Sequence, residues 1–462
     1  MTDDQPHATR VLVPAGALGS GVRADEVGAG MALRPHAIAL DAGSTDSGPA
    51  YLATGKSKYS RQAVRRDLSI LMAARDEASI PLLIGSCGTS GCDEALDWTL
   101  DTVLEVAREQ GSAPRIAVLY SEQDKPVLKA KALSGAVRPL APAGALDAAT
   151  IDACAHIVAL LGPEPYIRAL NEGADIVLGG RTTDTAVLAA VPLRRGADAG
   201  AAWHAAKIAE CGGQCTVNPT HPGVMMSVDR QGFSISPLGA ANRCTPETVS
   251  AHMLYENSDP FRLVEPGGVL DVSDARYVQL DERSVRVTGS RFEPTAYTMK
   301  LEGASAGAFQ TIMLVGIEDP AVLADVDGFV TRMAHALNQR VRRTLGAEAG
   351  GIDISLRPYG WNAVSGRKPA DGAAAPREIG LLFVATAPTQ AMATETAKIC
   401  NPYFFHFPAG EGRELPSYAF PFSPAEIERG QVFEFHLNHV VETNTPFELM
   451  RTRWVNIAVQ EA

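Results

Sequence analysis

Ile176-Val177-Leu178-Gly179-Gly180-Arg181-Thr182-Thr183-Asp184 is an apolar run that stops abruptly in glycines, hydroxyls and one charge of each sign. The pattern repeats upstream. Val11-Leu12-Val13 ends in Ala15-Gly-Ala-Leu-Gly-Ser-Gly21, Ala37–Leu40 in Asp41-Ala-Gly-Ser-Thr-Asp46, and Pro81–Ile84 in Gly85-Ser-Cys-Gly-Thr-Ser-Gly91. Ile116–Leu119 ends in Tyr120-Ser-Glu122, and Ile157–Leu160 ends near Gly162-Pro163. Short apolar runs bounded by turn residues read as strands buried on both faces. Between them, Arg61–Arg75 and Asp93–Glu109 carry apolar residues at a period of 3.6 and read as helices. Strands alternating with helices predict an α/β fold, with an N-terminal Rossmann-like, mainly parallel sheet covered by helices. Ligand sites in such sheets lie at the carboxyl ends of the strands.

Beyond residue 245 the pattern changes. Tyr277–Leu280, Ser284–Val287, Tyr297–Leu301 and Ala308–Gly316 read as successive strands, and Val322–Leu345 as one long helix. This predicts an α+β C-terminal region. Arg367–Arg377, rich in Pro, Gly and Ala, reads as a loop. Ile379–Val384, Thr389–Ile399 and Val432–Asn438 then read as strand, helix and strand. The expected domains are 1–245, 246–366 and 378–462.

Composition excludes several classes. The chain has 462 residues, 46% of them hydrophobic, so burial does not limit folding. A net charge of -12 argues against nucleic acid and against a polybasic membrane contact. Seven irregularly spaced cysteines do not make a secreted disulfide framework. The polar start MTDDQPHATR is no signal peptide, and no apolar run of membrane-spanning length occurs. A cytoplasmic protein is expected, with a homo-oligomer as the general expectation for such enzymes.

The loops carry the chemistry. Asp41 and Asp46 flank Gly43-Ser44-Thr45 and suit acid–base work or hydroxyl binding, although Asp and Ser also cap turns. Gly19 and Ser20 lie in a glycine-rich loop that allows close ligand approach. Lys56, Lys58, Arg61, Arg65 and Arg66 place five cations within eleven residues, either for an anion or as a solvated helix face. Gly85, Ser86, Cys87, Gly88 and Thr89 read as a backbone nest for anionic oxygens. Gly180, Arg181 and Thr182 offer a guanidinium fork for a carboxylate, with Asp184 as base or orienter. Gly213 follows Glu210-Cys211, which reads equally as a helix C-cap. Cys211 and Cys215 lack a second pair for zinc, and the scattered histidines, His252 among them, read as packing or surface residues. No metal ligand set and no cofactor are predicted. A divalent ion such as Mg²⁺ on Asp41 and Asp46 would leave no stronger mark and stays open.

Three segments resemble the AtuA-like acyclic terpene utilisation family: Ala15–Gly21, Gly173–Asp184 and Glu210-Cys-Gly-Gly-Gln214. The resemblance covers roughly residues 10–345. From about Glu378, Asn401-Pro402-Tyr403 and Phe433–Val440 resemble the small companion domain that occurs fused or separate in that family. The family takes its name from degradation of citronellol-like compounds through acyl-CoA esters. It supplies no catalytic residue list.

The favoured expectation is a catabolic enzyme acting on a small carboxylate or acyl-CoA, as a hydratase/lyase or isomerase. Asp41, Asp46, Arg181 and Asp184 would be catalytic, and replacing Arg181 with Ala should abolish turnover with the fold intact. One alternative is a hydrolase or thioesterase with Ser86 or Cys87 as nucleophile. Another is a non-catalytic ligand-binding subunit of a complex.

Overall fold

A computed structural model describes residues 8–367, 370 and 374–457. The N-terminal stretch 1–7, and 368, 369 and 371–373 of the expected loop, lie outside the described residues.

The chain forms two compact units, Met1–Ser305 with Glu434–Ala462, and Ala306–Phe433. These limits fall at other places than 245 and 378. The chain leaves the first unit within the strand Thr298–Ile317 and returns to it within Ile427–Glu442. The runs read as two strands, Tyr297–Leu301 and Ala308–Gly316, are thus parts of one.

The fold is mixed α/β, and the first unit is built on a ten-stranded mixed sheet. Its centre holds five parallel strands in the order Thr9–Val13, Ala37–Asp41, Leu82–Gly85, Ile176–Gly179 and Arg115–Tyr120. Antiparallel strands extend both sides: Val224–Val228 pairs with Thr9–Val13, and Arg451–Asn456 with Arg115–Tyr120. The strand at His156–Ala159 does not join the parallel centre. It pairs antiparallel with Leu301–Ala304 of Thr298–Ile317.

The uniform apolar runs have a simple cause: both faces of the central sheet are covered. Val11, Val13, Ala37, Ala39, Leu83 and Val177 enter one core, against the helices Asp184–Arg194 and Ala199–Ala209. Leu12, Ile38, Leu40, Leu82, Ile84 and Leu178 enter the other, against Arg61–Ala78 and Asp93–Gln110. With every position buried, the period-two alternation disappears from the sequence. The helix Asp184–Arg194 is buried over nearly its whole length, and Ala199–Ala209 over all but its first residue, so the Ala-rich stretch is core.

The second unit packs the strands Asp353–Tyr359 and Ile379–Ala387 with Phe309–Ile317, all antiparallel. The expected long helix is split into Pro320–Leu323 and Val326–Leu345. Met313, Val315, Phe329, Met333, Leu381 and Phe404 fill this core.

Candidate functional site

At the carboxyl end of the parallel strands the first unit holds an open pocket of about 820 Å³. Its wall includes Gly16, Ala17, Ser20 and Gly21 from the first loop, and Asp41, Gly43, Ser44, Asp46 and Ser47 from the second. Lys58, Tyr59, Asp184, Glu210, Cys211, Gly213, Tyr255 and Glu256 complete much of the rest.

Eight of the residues singled out in the sequence therefore meet at one place: Ser20, Asp41, Gly43, Ser44, Asp46, Lys58, Asp184 and Gly213. The others stand behind the wall. Gly19 N–H and Gly21 N–H both donate to Oδ2 of buried Asp67, at 2.9 and 3.2 Å. Ser44 caps the short helical turn Thr45–Ser47, and its hydroxyl donates to Asp46 at 2.5 Å.

The loop after Leu82–Gly85 does not form an anion nest open to the pocket. Its amides are used inside the fold: Ser86 N–H donates to Gly180 O at 3.0 Å, Cys87 N–H to Gly179 O at 3.0 Å, and Gly91 N–H to Cys87 O at 3.2 Å. Lys58 N–H donates to Thr89 Oγ1 at 3.0 Å. Ser86, Cys87, Gly88 and Thr89 are buried. Burial and nearby Asp41 push the Cys87 thiol well up, the opposite of an activated thiolate.

Arg181 likewise stands behind the wall and is not a free fork. It is buried, and its Nε donates to Glu302 Oε2 at 3.2 Å. Nη1 donates to Ser86 Oγ at 2.9 Å, to Thr182 O at 3.1 Å and to Asp184 Oδ1 at 3.1 Å. Thr45 Oγ1 and Lys300 Nζ, both at 2.8 Å, complete the surroundings of Glu302. Burial works against the Glu302 charge, but Arg181 and Lys300 prevail and hold its carboxyl at about 2. Thr182 hydrogen-bonds Tyr166 at 2.8 Å and carries no pocket-facing group.

Of the cation-rich run, Arg61 pairs with Glu105 at 2.8 Å and Arg65 with Glu109 at 2.5 Å. Those two belong to a helix face. Lys58 reaches the pocket wall and donates to Ser47 Oγ at 3.0 Å.

The carboxyls facing the pocket are unusual. Asp41 is 4% exposed, and its Oδ1 has no hydrogen-bond partner among the described residues. Burial, reinforced by Asp184, raises its pKa well above the ordinary value. Burial also raises Asp184, although Arg181 opposes it. Burial pushes Glu210 up to about 8 against the neighbouring Lys207 ammonium, 2.5 Å away. Behind them, burial brings Glu265 to about 7; Thr185 Oγ1 donates to it at 2.5 Å.

A family model described as the acyclic terpene utilisation family protein AtuA matches residues 50–434. The chain belongs to that family. Two of the segments that carry the resemblance, Gly173–Asp184 and Glu210–Gln214, lie inside the match. Ala15–Gly21 precedes it, and the match runs on through most of the stretch read as a companion domain. No curated protein and no solved structure matches the chain. Among the described residues no helix is long and apolar enough to cross a membrane.

Reading the sequence passed over Lys207, Glu265 and Glu302, and took Glu210-Cys211 as a possible helix end and His252 as a packing or surface residue. Glu302 did leave a signal, a charge amid the strand Thr298–Ile317, and Lys207 and Glu210 leave one at i, i+3 around the end of an Ala-rich helix. His252 leaves none, because only the fold brings it near Glu210.

Proposed function

We propose that this member of the family is an enzyme that moves protons on a small carboxylate or its acyl-CoA ester, as a hydratase/lyase or an isomerase. The observation that carries the reading is the Asp41–Asp184 pair on one pocket wall. Two carboxyls whose surroundings differ make an acid and a base. Asp184 keeps the guanidinium hydrogen bond that favours its charge. Asp41 has a buried oxygen with no such partner and keeps its proton. Asp41 is then the general acid, and Asp184 the base that takes a proton from carbon. Lys58 supplies positive charge on the wall for the substrate's anionic end. The wall is rich in Gly, Ser, Asp and Glu, which suits a short polar substrate better than a long hydrocarbon chain.

The test is solvent deuterium incorporation. Wild-type protein is incubated in D₂O with a panel of hydroxy-, enoyl- and dicarboxylates and their coenzyme A esters, and the products are read by proton NMR. Deuterium should enter next to the carboxyl or thioester carbon of at least one compound. Asp41→Asn should lose this exchange without a lower melting temperature. Exchange at the wild-type rate in Asp41→Asn, or none with any compound, rejects the reading.

A further inference from the structure

Glu210 and Cys211 follow directly on the buried helix Ala199–Ala209, and His252 opens the turn His252–Leu254. A carboxylate oxygen of Glu210, Sγ of Cys211 and a ring nitrogen of His252 all lie within 4.8 Å of one another. His252 is 5% exposed, and its Nε2 has no hydrogen-bond partner among the described residues. A buried ring nitrogen without a partner is costly unless something occupies it. We propose that Glu210, Cys211 and His252 bind one divalent transition-metal ion of the zinc class, with an open coordination position toward the pocket.

Three features support this. First, the donors are one carboxylate, one thiolate and one imidazole, the mixed O, S and N set that borderline divalent ions accept and that Mg²⁺ and Ca²⁺ do not favour. Second, three protein ligands are the number that leaves a position for water or substrate, and Glu210 and Cys211 both line the pocket. Third, the carbonyl end of a helix carries negative partial charge, which favours a cation there.

Lys207 does not fill the site. Its ammonium takes Oε1 of Glu210 at 2.5 Å and donates to Tyr255 O at 3.1 Å, which orients the carboxylate and leaves the second oxygen for the ion. The thiol proton of Cys211 leaves to solvent as the ion binds. A second trio, Cys92, Glu122 and His156, makes a useful contrast. There His156 Nδ1 hydrogen-bonds Glu122 at 2.7 Å, Asp93 N–H donates to Glu122 at 2.8 Å, and Ser90 Oγ donates to Cys92 at 3.3 Å. Those groups satisfy one another.

The inference does not depend on the acid–base reading, since a chain with no turnover would still bind the ion. The experiment uses the full chain, stripped with a chelator and titrated with Co²⁺ and then Zn²⁺. One equivalent should bind, with a near-ultraviolet thiolate-to-cobalt charge-transfer band. Cys211→Ser should abolish the band, while His252→Ala and Glu210→Gln should each weaken binding more than about tenfold. Cys92→Ser should leave all of it unchanged. A second measurement needs no variant. Cys211 is partly exposed and the other six cysteines are buried, so maleimide labelling of the wild type reads Cys211, and Zn²⁺ should slow it at least about tenfold. No cobalt band, a band that survives in Cys211→Ser, or labelling unaffected by Zn²⁺ overturns the proposal.

Discussion

Arg181 is held in a different way from what its place after a strand end suggests. Its guanidinium was expected to face substrate, yet it is enclosed with Glu302, which is also buried. Arg181→Ala leaves that carboxylate to Lys300 and Thr45 alone, and breaking a buried pair costs up to about 3–5 kcal/mol. We expect the urea midpoint to fall accordingly, and Arg181→Met with Glu302→Gln to recover most of the loss. A midpoint unchanged in Arg181→Ala would show that the pair contributes nothing. Lost turnover in Arg181→Ala would therefore not separate a catalytic role from a structural one. Glu265 gives a pH signature. Its folded pKa is about 7 against an ordinary 4.5. The folded state thus holds a proton that the unfolded chain has released, and this stabilisation is lost as pH rises from 4.5 through about 7. Glu265→Gln has no proton to lose. It should gain on the wild type over that interval by on the order of 3 kcal/mol, at about 1.4 kcal/mol per pKa unit. Parallel plots of melting temperature against pH for the two proteins would refute it. Buried carboxyls of this kind are hard to read from sequence, because the letter Glu says nothing about exposure.

At the scale of elements, the loop Gly85–Cys92 is a brace and not a cradle. Ser86 and Thr89 hold left-handed φ angles of 43° and 79°, a strain the surrounding hydrogen bonds sustain. Gly91 has φ +65°, and a Cβ there would lie 2.0 Å from the Arg181 backbone nitrogen. Gly91→Ala should cost on the order of 3 kcal/mol from strain and overpacking together. Gly111→Ala is the control, because its φ of +64° is similar and nothing lies within 4 Å. It should cost about 1 kcal/mol. Equal losses in the two variants would mean that the close approach does not matter. The central strands were legible because burial on both faces writes them as unbroken apolar runs. The placement of His156–Ala159 was not, since an apolar run does not name its partner strand. The glycine-rich loop was legible as a tight turn, but the destination of its amides was not: Gly179 and Gly180 accept them from almost a hundred residues away in sequence.

For the whole molecule, the site belongs to one unit. All the pocket residues named above lie within Met1–Ser305. His436 Nε2 and Ser305 Oγ are 2.7 Å apart, close to the points where the chain leaves and re-enters this unit. A short glycine linker replacing 306–433 should therefore give a chain that unfolds cooperatively and keeps the Cys211 labelling rate of the full protein. Loss of a cooperative transition in circular dichroism would show that the first unit depends on the second. Reading the sequence placed the change of pattern near residue 245, where helices give way to strands. The compact units follow long-range pairing, which a change in local pattern does not report.

The strand Arg451–Asn456 closes the side of the sheet at Arg115–Tyr120 through a six-residue antiparallel register. On the ribosome, that side stays open while more than three hundred residues of chain are still being made. An uncovered strand is a template for pairing with another nascent chain. The cell therefore has an interval to guard, in which chaperone binding near Arg115–Tyr120 or slow synthesis decides the yield. Chains that stall before Arg451 should be the ones that co-aggregate.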